Sequence, residues 1–93
     1  MAGDPEARTQ LARLLGDERL RSAPIEVVRE AVDEQFDLLV DGLVAETAAS
    51  DDVMDRETGL SFARLRVDAL QAVLSESQAV RLYGAVRGKI EAW

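Results

Sequence analysis

Apolar residues recur at helical spacing along most of the chain, and this periodicity constrains the fold more than any other feature. In the segment 23–49 two apolar stripes lie side by side, and together they cover about half of a helix circumference, as in a helix buried on one side. The stripes comprise Ile25, Val28, Val32, Phe36, Leu39 and Leu43, and Val27, Ala31, Leu38 and Ala45. No stretch alternates apolar and polar residues in the way that is typical of a β-strand. The sequence therefore predicts an all-α protein.

Capping residues and apolar spacing predict four helices in a single domain, 1–93. The expected ranges are about 5–16, 23–49, 60–74 and 76–92. Asp4 and Ser22 are the expected N-caps of the first two helices, and Gly16 is the expected end of the first. Ser75 and Gln78 have the spacing of a capping box, and the short turn there predicts an antiparallel hairpin. We expect a small antiparallel four-helix bundle with a long second helix that overhangs its neighbours.

The composition excludes several kinds of chemistry, because the chain has neither cysteine nor histidine. Disulfides, zinc–thiolate sites and thiol nucleophiles are excluded, which fits a reducing cytoplasm. The usual general base and transition-metal ligand are also missing. We therefore expect a non-catalytic protein with no catalytic residue, cofactor or metal. Ten of the eleven basic residues are arginine and alanine is abundant, a usage typical of high-GC bacterial genomes.

Neither the first residues of the sequence nor its interior apolar runs predict a membrane protein. The first residues lack a basic stretch followed by an apolar run, so we expect no signal peptide. The uncharged apolar runs are only a few residues long, so we expect no segment to span a membrane. A cytoplasmic location is the resulting prediction.

Charge is distributed unevenly along the chain, which has a net charge of −7. The middle segment, 23–57, holds eleven acidic and two basic residues, for a net charge of −9. Five of these acids have helical spacing opposite the apolar stripes: Glu26, Glu30, Asp33, Asp37 and Asp41. Such a surface repels nucleic acid and anionic lipid. It is either a solvated face that gives solubility or a site for a protein with a basic or mixed surface.

A metal-binding interpretation of the same helix is the main alternative. Glu30 and Asp33, like Glu34 and Asp37, are spaced to lie one helical turn apart. The run 33–40 resembles the carboxylate helix of the all-α nucleotide pyrophosphohydrolases. That resemblance implies a magnesium-dependent enzyme in which four acidic side chains hold Mg²⁺ against a triphosphate. The second acidic helix of that family has no counterpart here, since the first helix offers only Glu6 before Asp17 and Glu18.

The leading functional prediction is a small protein–protein interaction module, of the adaptor, docking, antitoxin-like or immunity-like kind. A structural subunit of a larger complex is a further alternative. An overhanging second helix with two apolar stripes also predicts a homodimer. Gly84 and Gly88 lie one turn apart, opposite the apolar residues of the last helix, and are either incidental or part of a contact face.

Overall fold

The computed structural model describes residues 3–93, which form five α-helices and one short 3₁₀ helix, with no strand in that range. The helices are α1 (Gly3–Leu15), the 3₁₀ helix (Glu18–Arg21), α2 (Ile25–Glu34), α3 (Phe36–Ala49), α4 (Arg56–Leu70) and α5 (Glu76–Glu91). Together they form a body that measures 37 × 23 × 22 Å along its principal axes. The all-α prediction is confirmed, and the predicted set of four helices is corrected to five.

The predicted long second helix is divided at Gln35, and this is the main correction to the expected architecture. Gln35 has φ −116° and ψ 34°, so it leaves helical geometry, although its N–H still bonds to the carbonyl of Ala31. No proline or glycine marks the bend. It coincides instead with packing by α5, where Arg81 lies 4.9 Å from the ring centroid of Phe36. The bend removes the overhanging helix on which the dimer prediction was based.

Helix ends are fixed mostly by local hydrogen bonds. Gly16 has φ +66°, the left-handed conformation that commonly follows a helix, so the predicted end of α1 is confirmed. The capping box at Ser75 is also confirmed, and a second one forms at Asp55. Two predicted caps are wrong. Asp4 lies inside α1 and pairs with Arg8 at 2.7 Å, while Ser22 ends the 3₁₀ helix rather than starting α2.

The buried core is apolar and draws on every helix. Its largest fully buried apolar side chains are Leu11, Leu20, Val28, Val32, Leu39, Leu43, Leu70, Val73, Leu82, Val86 and Ile90. Two buried polar side chains join it. Thr47 donates to the carbonyl of Leu43 at 2.8 Å, and Gln78 reaches α2. Burial of these polar groups is tolerated because each has a hydrogen-bond partner.

The order of contacts along α5 defines how the helices run. Gly59, near the start of α4, lies against Ile90 near the end of α5, so these two helices run in opposite directions. In contrast, α3 and α5 run in the same direction, because Arg81 packs on Phe36 and Lys89 pairs with Asp41. These contacts place α5 between α4 on one side and the α2–α3 pair on another. Within residues 3–93, every helix falls short of the length and hydropathy that crossing a membrane requires.

Candidate protein-binding surface

The predicted acidic stripe lies on the surface but is shared by two helices. All five of its side chains are exposed, with Glu26, Glu30 and Asp33 on α2 and with Asp37 and Asp41 on α3. Because α2 and α3 meet at a bend, the five carboxylates do not lie on one face of a single continuous helix, as the sequence had predicted. It follows from the burial of Val28, Val32 and Leu39 on the other side of the same two helices.

Two of the five carboxylates are held by α5. The side-chain amide of Gln78 donates to Asp33 Oδ1 at 2.9 Å and to the carbonyl of Arg29 at 2.8 Å. Lys89 Nζ donates to Asp41 Oδ1 at 2.9 Å. This hydrogen bond, the charge of Asp41 and the weaker influence of Asp37 raise the pKa of Lys89. Asp33 and Asp41 therefore attach α5 to α2 and α3, a role that the sequence analysis did not predict.

The other three carboxylates, Glu26, Glu30 and Asp37, form no ion pair within residues 3–93. Glu34 likewise forms no ion pair within these residues. It is exposed and lies at the end of α2, beside the bend. We call Glu26, Glu30, Glu34 and Asp37 the acidic face. The predicted stripe did not include Glu34, although it has helical spacing from Glu30 and Asp37, and its exposure in the structure adds it to the surface.

Two shallow grooves meet at Glu34 and Gln35 and bring apolar surface to the acidic face. The first groove runs between the 3₁₀ helix and α2 and includes Val27. The second lies at the start of α3 and includes Leu38. Val27 and Leu38 are 46% and 48% exposed, whereas the other large apolar side chains of α2 and α3 are buried or half-buried. The surface thus combines unpaired carboxylates with accessible apolar area.

Every basic residue of the chain already forms an ion pair or a hydrogen bond within the described residues. Nine of the eleven form ion pairs within the described residues, each with a carboxylate of this chain. The other two, Arg29 and Arg56, donate to the backbone carbonyls of Val73 and Trp93 at 3.3 and 2.8 Å. The excess negative charge is therefore not neutralised within the molecule, and a second copy has few free basic groups with which to neutralise it.

The carboxylates do not assemble into a metal centre. In the part of the chain that the structure describes, no group of three or more acidic side chains is placed to hold a metal ion. One member of the run that resembles the pyrophosphohydrolase helix, Asp33, is instead hydrogen-bonded to Gln78. Mg²⁺ requires converging oxygen ligands, and the donor set implied by the resemblance is not formed here.

Comparison with protein-family models, with curated proteins and with solved structures gives no match to this chain.

Proposed function

We propose that this protein is a small protein–protein interaction module that binds a basic surface of another protein through the acidic face. The observation that carries the proposal is that Glu26, Glu30, Glu34 and Asp37 form no ion pair within residues 3–93, where nine of the eleven basic residues do. The adaptor, docking, antitoxin-like and immunity-like kinds of module all act by binding another protein. The absence of cysteine is consistent with a reducing compartment such as the bacterial cytoplasm.

Electrostatics favours an external basic partner. Like charges spaced three or four residues apart on a helix cost a few tenths of a kcal/mol each. Glu26, Glu30 and Glu34 have this spacing along α2. Lysine or arginine side chains of a partner remove the repulsion and speed diffusional encounter by attraction at longer range.

Apolar contact supplies the part of the affinity that charge does not. Exposed ion pairs contribute at most about 1 kcal/mol each, so charge alone gives steering rather than a stable complex. Val27 and Leu38 provide exposed apolar area on either side of Glu34 in the sequence, each in one of the two shallow grooves. The partner that fits is an amphipathic basic segment whose apolar residues enter these grooves.

The test compares two variants that lose the same amount of charge. Glu30→Gln/Asp37→Asn changes the acidic face, and Asp51→Asn/Asp52→Asn changes the exposed loop between α3 and α4. Each variant and the parent serve as bait in a lysate of the source organism, and a protein retained by the parent is then purified. We expect the acidic-face variant to lose that protein and the loop variant to keep it.

Association kinetics provide the quantitative measurement. At low salt, the on-rate for the purified partner should fall about tenfold in the acidic-face variant and stay near the parental value in the loop variant. The difference should shrink as salt rises, because exposed charges are screened beyond about 8 Å at physiological ionic strength. Equal on-rates for the two variants at low salt would contradict the proposal and leave solubility as the role of the acidic face.

A further inference from the structure

Arg81 reaches from α5 into the groove at the start of α3, which the acidic face borders. Its guanidinium lies over the Phe36 ring, 4.9 Å from the ring centroid. Glu34 and Asp37, two carboxylates of the acidic face, line the same groove. The structure thus shows a guanidinium held at this surface by an aromatic ring, an arrangement in which cation and ring attract each other.

The contacts that hold Arg81 in the groove are weak. Arg81 Nη1 lies 3.9 Å from Asp33 Oδ1, the longest ion pair in the described residues. Asp33 Oδ1 already accepts a hydrogen bond of 2.9 Å from Gln78. The side chain of Arg81 is 57% exposed, so it remains largely hydrated in this position. Stacking on Phe36 is therefore its main attachment, and at an exposed site such an attachment is readily replaced.

The chemistry of the groove favours arginine over lysine as the incoming group. A guanidinium is planar, so it stacks on an aromatic ring while its N–H groups donate to carboxylates at its edge. A lysine ammonium is compact and strongly hydrated, and it lacks this combination. We infer that the groove binds an arginine side chain of the partner, and that Arg81 competes for the same place on Phe36. This role rests on the proposed function of the acidic face.

An arginine from a partner gains more in the groove than Arg81 does. Arg81 is attached to α5, and within residues 3–93 its one ion pair is with Asp33. Glu34 and Asp37 form no ion pair in that range and offer acceptors to a guanidinium that approaches from solvent. Arg81 thus acts as an internal competitor. It weakens the binding of every basic surface and excludes those that bring no arginine to Phe36.

A matched pair of arginine variants tests the competition. Arg81→Gln removes the competitor, and Arg87→Gln removes the same charge from an exposed position of the same helix, where Arg87 pairs with Glu91. The probe is a fluorescent amphipathic helical peptide with leucine on one side and arginine on the other. At physiological salt, its Kd should fall about fivefold for Arg81→Gln and stay near the parental value for Arg87→Gln.

A second peptide and a ring variant test the selectivity for arginine. The second peptide replaces each arginine of the probe by lysine, so the total charge is unchanged. The parent should bind the arginine peptide more tightly than the lysine peptide. Phe36→Leu keeps an apolar side chain but removes the ring, so it should abolish this preference and the gain from Arg81→Gln. Far-ultraviolet circular dichroism of each variant establishes that it is folded.

The possible results separate this role of Arg81 from the proposed function. Equal Kd values for Arg81→Gln and Arg87→Gln, or weaker binding by Arg81→Gln, overturn the competition and leave Arg81 as a packing contact at the bend. Equal binding of the two peptides by the parent overturns the selectivity for arginine. The proposed function survives these results if Glu30→Gln/Asp37→Asn still loses the peptides. Failure of every variant to bind either peptide overturns both.

Discussion

Alanine substitution of the two open glycines of α5 should stabilise each copy of the protein. Gly84→Ala and Gly88→Ala are each expected to raise the free energy of unfolding by about 1 kcal/mol, the difference in helix propensity between the two residues. Nothing lies within 4 Å of the added Cβ at either position, so no packing penalty offsets the gain. Part of the effect arises because alanine restricts the unfolded chain. For a domain of this size the melting temperature should rise by roughly 4–8 °C.

The same substitution at two packed glycines is the matched control. At Gly42 the new Cβ would lie 3.0 Å from Leu14 Cδ2, and at Gly59 it would lie 3.1 Å from Trp93 Cζ3 and 3.4 Å from Ile90 Cγ2. The gain in helix propensity is similar at these positions. Overpacking costs typically about 1–3 kcal/mol, so we expect little net change or a loss of stability.

Urea unfolding followed by circular dichroism measures the four variants on one scale. The protein concentration should be low enough that any dimer dissociates, so that the free energy refers to a single copy. The reasoning would be refuted if Gly84→Ala and Gly88→Ala were destabilising. It would also be refuted if they matched Gly59→Ala, because local space around the Cβ would then have no influence.

Three further predictions concern the helix ends and the contact between α2 and α5. Gln78→Ala removes a buried amide that bonds to α2 and should cost about 1–3 kcal/mol in urea unfolding, whereas Gln71→Ala at an exposed position should cost almost nothing. Ser75→Ala removes the N-cap of α5 and should cost about 1 kcal/mol, measurable by scanning calorimetry. The backbone N–H of Thr58 lowers the pKa of Asp55 below 3.8, so this contribution to stability is present above that pH and lost as the pH falls through the lowered value. Asp55→Asn should therefore show a smaller loss of stability on acidification than the parent.

Local patterns in the sequence were sufficient to predict features that depend on neighbouring residues. The capping box at Ser75 requires only a serine and a glutamine three residues apart, and the end of α1 requires only a glycine that tolerates positive φ. The bend at Gln35 has no such signature. It coincides with contacts from α5, whose Gln78 and Arg81 contact residues on the two sides of the bend.

The candidate site was predicted only in part, because some of its features depend on contacts between helices that are distant in sequence. Placing carboxylates opposite an apolar stripe predicts their exposure, and the five predicted residues are exposed. Spacing along one helix gives no information about a helix that is distant in sequence. The pairing of Asp33 and Asp41 with α5 was therefore missed, as was the exposure of Val27 and Leu38, which belonged to the second predicted apolar stripe.

The brevity of α2 has a consequence for the dynamics of the proposed binding surface. A helix of ten residues is too short to be stable alone in water, so α2 stays folded through Val28, Val32 and the amide of Gln78. It packs mainly on α3, whereas α4 and α5 form the most extensive helix pair. In native-state hydrogen exchange, the amides of α2 should open at lower free energy than those of α4 and α5. Three of the four carboxylates of the acidic face are thus carried by a segment that we expect to unfold more readily than α4 and α5, and a partner that binds there must offset the cost of holding that segment folded.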